Sequence, residues 1–104
     1  MNTLQKIQDW YFSQCDCEWE HQRGVTIGTI DNPGWSVTID LTGTNLETAV
    51  FSPVARGVEK DGSTPGLDWL TCSVTGGQFK AFGGPHKLDE MLRIFLEWAV
   101  GSGR

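Results

Sequence analysis

The stretch VTIGTIDNPGWSVTIDL, Val25 to Leu41, decides the fold because apolar and polar residues alternate on both sides of a turn-forming cluster. The cluster is Asp31 to Gly34, in which Pro33 fixes φ and Gly34 is free to adopt a positive φ. A period of two on both sides of such a cluster is typical of paired strands. The stretch therefore predicts a β-hairpin.

The register of this hairpin follows from its apolar residues. A loop of even length would pair Ile27 with Asp40 or Thr38 and would divide the apolar residues between both faces. Because a slip of one residue moves every side chain to the opposite face, we expect an odd loop of three residues or a bulge. The pairs predicted with this loop are Val25 with Leu41, Ile27 with Ile39, and Thr29 with Val37.

A second hairpin is predicted from Leu67 to Phe82. Its turn is Gly76-Gly77, a two-residue type that tolerates positive φ at both positions. This turn pairs Val74 with Phe79 and Cys72 with Ala81 on an apolar face. The opposite face is then predicted to contain Trp69, Thr71, Ser73, Lys80 and Phe82.

Apolar residues at helical spacing predict a helix at each end of the chain. The first begins near Leu4, with Asn2 or Thr3 as its cap, and ends near Gln14. In the second, Leu88, Met91, Leu92, Phe95 and Ala99 repeat at helical spacing. For this second helix, Pro85 is predicted in the first turn and Gly101 at the stop.

Between the hairpins, Thr48 to Phe51 is predicted as a further strand and Arg56 to Gly66 as an exposed loop. The elements together predict a single α+β domain over residues 1–104. Its antiparallel sheet has about five strands and is flanked by an N-terminal and a C-terminal helix packed on one face. The chain is long enough for one hydrophobic core.

The 104 residues have a formal net charge of −5, and all of the imbalance lies in residues 1–50, which contain seven acidic and two basic residues. A domain with this distribution repels phosphate groups, so binding to nucleic acid or to an anionic membrane is disfavoured. An acidic flank suits a basic partner protein. The alternative is a solvated surface that keeps the protein soluble.

The N-terminal residues lack an apolar segment after a basic start, and no apolar run exceeds three residues, so we expect neither a secreted precursor nor a membrane-spanning protein. The three cysteines are Cys15, Cys17 and Cys72. An odd count, with two of them one residue apart, favours a reducing compartment and hence the cytoplasm.

Cys15, Cys17 and His21 are the one dense cluster of soft metal ligands in the sequence. Zinc sites usually separate paired cysteines by two to four residues, and a fourth ligand would have to come from Cys72 or His86, so a metal site is disfavoured. A cysteine nucleophile activated by His21 lacks a recognisable catalytic context. Phosphate-binding loops, dinucleotide fingerprints, nucleophile elbows and zinc-protease motifs are missing from the sequence.

The five tryptophans divide into two groups. Trp10, Trp35 and Trp98 follow the apolar patterns and are predicted to lie in the core. Trp19 lies among acidic residues, and Trp69 shares its predicted strand face with polar residues. For these two, an anchor at a protein interface and a second layer of packing are equally open alternatives.

Several segments resemble the immunity protein 53 family of bacterial polymorphic-toxin systems. They are Trp10-Tyr11 followed by SQCDCEWEH, the glycine-led strand from Gly24, TIDNPGWSVTIDLTGT, the DWL segment with Phe79, and the closing helix with Leu88, Leu92, Phe95 and Trp98. The resemblance implies a small residue or glycine at position 17, where this chain has Cys17. It also implies an acidic residue before Pro85, where the chain reads GGPHKL.

The resemblance implies an antidote that binds and neutralises a toxin encoded beside it, without catalysis and without a cofactor. Combined with the charge distribution, it gives the hypothesis that an acidic surface faces a basic toxin, such as a nuclease. The candidate partner-binding residues are Asp16, Glu18, Trp19, Glu20, Asp31 and Asp40. The other functions left open are a small ligand-binding or scaffold module and, less favoured, a small Cys/His enzyme.

Overall fold

The computed structural model describes residues 2–102, which form three helices and five strands. The helices are α1 (Thr3–Gln14), α2 (Trp19–Gln22) and α3 (Leu88–Ser102). The strands are β1 (Val25–Ile30), β2 (Gly34–Asp40), β3 (Val54–Arg56), β4 (Leu70–Thr75) and β5 (Gln78–Gly83). All neighbouring strands are antiparallel, in the order β1-β2-β5-β4-β3. The predicted α+β class is confirmed.

The core lies between the sheet and α3. Val37 and Phe79 from the central strands are fully buried, and so is Phe95 from α3. The rings of Phe79 and Phe95 meet edge to face with their centroids 5.2 Å apart. Helix α1 packs mainly on α3 and adds Ile7 to this core, while Trp10 and the other two tryptophans predicted as core residues are partly buried against it.

The second hairpin is as predicted. Val74 pairs with Phe79 and Cys72 with Ala81, and Gly76 and Gly77 have φ values of 59° and 77°. Strand β4 begins at Leu70, however, so the residues from Leu67 to Trp69 lead into the strand without being part of it.

The first hairpin has the predicted odd loop of three residues but not the predicted pairs. Ile27 pairs with Val37, and the loop is Asp31 to Pro33 with a cis Asn32–Pro33 bond. The shift arises because Gly34 begins β2 and lies so close to β5 that a Cβ would overlap the carbonyl oxygen of Gly83. Gly34 is therefore a strand residue without the positive φ predicted for it. The other pairs are Val25 with Ile39 and Thr29 with Trp35.

The strand predicted from Thr48 to Phe51 is wrong, and β3 lies three residues further along. Residues 48–51 are held against α3 and do not join the sheet. The indole N–H of Trp98 donates to the Val50 carbonyl at 2.9 Å, and the ring of Phe51 packs edge to face on Trp98 and Phe79. This apolar run is short enough for a strand, but here it packs against α3.

Both helix boundaries predicted for α3 need correction. Pro85 lies in a turn before the helix, where its carbonyl accepts a hydrogen bond from the indole N–H of Trp35 at 3.1 Å. The helix also continues through Gly101 to Ser102, because Gly101 does not take the positive φ of a helix stop. At α1 the prediction holds, since Asn2 forms a capping box with Gln5.

Candidate functional site

The segment between α1 and β1 is organised by two of the predicted carboxylates. Asp16 Oδ1 accepts hydrogen bonds from the backbone N–H of Glu18 (2.9 Å) and Trp19 (2.8 Å), so it holds the start of α2. The Glu20 carboxylate reaches back to the N–H of Asp16 (3.0 Å) and Cys17 (2.9 Å). The N-terminal end of the short helix is therefore held by two side chains that were predicted from the sequence as partner-binding candidates.

These hydrogen bonds favour the charged carboxylates. Donation from the N–H of Trp19 and then Glu18 lowers the pKa of Asp16. The pKa of Glu20 is lowered first by its own backbone N–H, then by those of Asp16 and Cys17. Both groups therefore stay ionised to a lower pH than an ordinary carboxylate.

Trp19 fixes this segment to the rest of the fold. Its side chain is 7% exposed, and its indole N–H donates to the Thr42 carbonyl at 2.9 Å. The ring meets Trp10 edge to face at a centroid distance of 6.1 Å. Burial favours packing over direct contact with a partner, and the role of Trp19 in a partner surface stays a prediction.

Asp40, the last residue of β2, links the segment between α1 and β1 to the sheet. Its Oδ2 accepts from the backbone N–H of Gly24 and its Oδ1 from the side-chain amide of Gln78, at 2.9 Å and 2.8 Å. Asp40 and Glu20 line one open groove of about 420 Å³, and Arg23 lies in its lining.

A neighbouring groove of about 250 Å³ is lined by Asp16, Glu18 and the same Arg23. We define the acidic corner as Asp16, Glu18, Glu20 and Asp40, which line these two grooves. Glu18 differs from the other three because its side chain forms no cap hydrogen bond, and like Asp16 it is exposed.

Asp31 does not belong to the acidic corner. It lies in the loop at the far end of the first hairpin, so the six residues of β1 separate it from the corner. At about 3.3 Å per residue this is about 20 Å. The structure therefore brings together four of the five predicted carboxylates.

Sequence reasoning missed one acidic residue near the corner. Glu47 Oε1 accepts a hydrogen bond from the N–H of Gly43 at 3.1 Å, and Gly43 lines the groove beside Asp16 and Glu18. Gly43 has a φ of 83°. The one local signal that could have located Glu47 is the turn Thr42-Gly43-Thr44, which requires a glycine at position 43.

A family model described as immunity protein 53 matches residues 4–100. The chain belongs to the immunity protein 53 family. The match extends from α1 through the acidic corner and the whole sheet into α3. No curated protein and no solved structure matches the chain.

The soft ligands of this immunity protein lie in different surroundings. Cys15 Sγ donates to the Tyr11 carbonyl at 3.4 Å, Cys17 and His21 are exposed, and Cys72 is only 1% exposed in the core. Burial raises the pKa of the Cys72 thiol to about 11. Residues 2–102 contain no group of three or more His, Cys, Asp or Glu side chains arranged to hold a metal ion.

The second tryptophan whose role was open is also buried in this immunity protein. Trp69 lies in the segment before β4, beside Gly57 and Gly84. Its backbone carbonyl accepts a hydrogen bond from the N–H of Gly84 at 2.9 Å. Phe82 remains exposed on the uncovered face of the sheet. No helix among the described residues is long and apolar enough to cross a bilayer.

Proposed function

We propose that this immunity protein binds a toxin encoded beside it and neutralises the toxin by protein–protein contact in the cytoplasm of the producing cell. The observation that carries this proposal is the match of residues 4–100 to the immunity protein 53 family. The role needs no catalytic step and no cofactor. It requires a surface complementary to the toxin.

The acidic corner supports a basic partner. Four carboxylates line two grooves that share Arg23, and hydrogen bonds from backbone N–H groups lower the pKa of Asp16 and of Glu20. A fixed negative surface of this kind speeds association with a positively charged protein and orients it. A nuclease toxin with a basic cleft fits this description, because an acidic protein seated in the cleft would exclude the nucleic acid.

The direct test is co-expression with the product of the neighbouring toxin gene. We expect rescue of growth and co-purification of the two proteins as a complex. Absence of both, with the immunity protein folded and abundant, would overturn the proposal.

Glu18 offers the sharpest test of the acidic corner. Its side chain forms no cap hydrogen bond with α2, so Glu18→Lys should leave this helix intact while it reverses an exposed charge. We expect slower toxin association and a weaker dependence of the association rate on salt. Glu20 is less suitable, because its carboxylate binds the N–H groups of Asp16 and Cys17.

The matched control is Glu59→Lys, which makes the same charge change in the exposed loop after β3, next to the opposite edge of the sheet. If Glu18→Lys and Glu59→Lys change the association rate equally, the effect is one of net charge and the acidic corner does not face the toxin.

A further inference from the structure

Strand β1 is an open edge of the sheet. It is terminal in the strand order, and β2 is the sole helix or strand in the described part of the chain with which it makes extensive contacts. Its six residues, VTIGTI, include no charge and no proline. Charges, prolines and very short length are the usual devices that prevent an edge strand from pairing with another chain, and β1 has none of them.

The backbone pattern shows which groups of β1 are free. Asp40 N–H donates to the Gly24 carbonyl at 3.0 Å, and hydrogen-bonded pairs in an antiparallel ladder recur at every second residue. Even-numbered residues of β1 therefore direct their N–H and C=O groups toward β2. The backbone groups of Val25, Ile27 and Thr29 point away from the sheet.

We propose that a second copy of this chain pairs with β1 through its own β1, antiparallel, with Ile27 of one copy opposite Ile27 of the other. In this register Val25 of each copy lies opposite Thr29 of the other. Every outward N–H then meets an outward C=O across a two-fold axis. Ile27 is 38% exposed in the single chain and gains an apolar neighbour in the pair.

The charges beside β1 favour a second copy over another occupant. Arg23 lies two residues before Val25, and Asp31 lies two residues after Thr29. In the Ile27 register, Arg23 of each copy falls opposite Asp31 of the other, so two cross-strand ion pairs form at the ends of the joined strands. An uncharged strand with one cation at its start and one anion at its end is complementary to its own antiparallel copy.

At the upstream end the backbone agrees with this register, whereas Asp31 at the other end lies in the hairpin turn. Arg23 has φ −136° and ψ 165°, so the extended conformation continues upstream of β1. Both Arg23 and Asp31 are exposed in the single chain. The proposal also gives Asp31, which lies apart from the acidic corner, a role that does not depend on the toxin.

The interface would be small. A six-residue edge buries less than the roughly 1,600 Å² of a standard stable interface, so we expect a dimer that dissociates on dilution. Sedimentation velocity of the full chain, without toxin, over a range of concentrations at low salt measures this directly. Because no toxin is present, the result is independent of the proposed function.

Charge reversal tests the register. Arg23→Asp and Asp31→Arg each place like charges opposite one another, and each should weaken dimerisation by about tenfold. The double variant restores opposite charges and should recover the dimer. The matched controls are Lys60→Asp and Glu59→Arg, which make the same changes in net charge within the exposed loop after β3 and should leave dimerisation unaltered.

Amide hydrogen exchange followed by NMR gives a second readout. As concentration rises, the N–H groups of Val25, Ile27 and Thr29 should become protected, while those of Thr26 and Gly28 are already protected by β2. A monomer at every concentration overturns the proposal. So does a dimer that responds to the control variants as strongly as to Arg23→Asp, is not rescued by the double variant, or lacks the alternating protection.

Discussion

The two edges of the sheet are built differently. Strand β3 has three residues, follows Pro53, and ends at Arg56, whose guanidinium forms an ion pair with Glu90 of α3. Strand β1 has six residues and none of these features. A short, charged edge fastened to a helix resists pairing with another chain, whereas a long, uncharged edge invites it. The comparison favours β1, the open edge, over β3, the closed edge, as the surface for strand addition.

A residue with positive φ lies near each edge, and here too the two sides differ. Gly57 follows β3 with φ 70°, and Cys17 precedes α2 and β1 with φ 75°. Glycine adopts this conformation without penalty, whereas a residue with a Cβ loses about 1–2 kcal/mol. The closed edge is thus relaxed and the segment leading to the open edge is strained.

The largest effect is expected from adding a side chain at the closed edge. Gly57→Ala places a Cβ at positive φ and against the carbonyl oxygen of Asp68 and the backbone of Trp69. We expect the free energy of unfolding in urea to fall by about 2–4 kcal/mol. Gly28→Ala is the control, since its Cβ would meet Ser36 Oγ at an ordinary 3.6 Å. An equal loss in both variants would contradict the expectation.

Proline substitutions in β1 should distinguish the N–H groups that face β2 from those that face outward, by their different effects on the unfolding free energy. Thr26→Pro removes an N–H that faces β2 and leaves the Thr38 carbonyl without its partner, so we expect a loss of about 1–3 kcal/mol in unfolding free energy. Thr29→Pro removes an outward N–H and should cost less than Thr26→Pro while abolishing self-association. Equal losses would contradict this assignment of inward and outward groups, and a larger loss from Thr29→Pro would show that the ladder has the opposite phase.

Local patterns predicted the hairpins well, and tertiary contacts explain the errors. The glycine pair at Gly76 and Gly77 fixed the second hairpin to the residue, because turn chemistry and apolar alternation agree there. At the first hairpin the odd loop was predictable from the apolar face. The exact pairs were not, because they depend on the approach of Gly34 to β5, a strand that is distant in the sequence.

For the candidate site, the sequence identified the acidic residues but not their arrangement. Asp16 and Glu20 were predictable as neighbours because they are close in the chain. The contacts of Asp40 depend on the exact pairs of the hairpin and on the pairing of β2 with β5. Glu47 reaches the corner through a turn whose path follows from packing against the core, and periodicity carries no signal for such a path.

A smaller, stabilising effect is expected at Cys17. Cys17→Gly removes the penalty of positive φ at an exposed position, and the family resemblance implies a small residue or glycine there. Allowing for the greater freedom of glycine in the unfolded chain, we expect a gain of about 1 kcal/mol in urea unfolding. Cys17→Ala is the control and should change little, because alanine keeps the Cβ. If alanine stabilises as much as glycine, the thiol and not the backbone is the cause.

The smallest effect is expected at the ion pairs that fasten β3. Glu90 binds Arg56 and lies 3.7 Å from Lys87 Nζ, and the hydrogen bond from Arg56, ahead of the positive charges nearby, lowers the pKa of Glu90 below its ordinary value of 4.5. Because both partners are partly exposed, Glu90→Gln should lower the unfolding free energy by less than about 1 kcal/mol at neutral pH. A group whose pKa is lowered by folding stabilises the native state above its unfolded pKa and loses this contribution as pH falls through its folded pKa.

The difference between the parent protein and Glu90→Gln should therefore be constant at neutral pH and should shrink as the pH falls below about 4.5. Urea unfolding at a series of pH values measures it. Glu97→Gln on the same helix is the control, since Glu97 forms no salt bridge among residues 2–102. If the difference in unfolding free energy persists unchanged at low pH, the Glu90 side chain stabilises β3 by packing and not by charge. The closed edge would then depend on its short length and Pro53 alone.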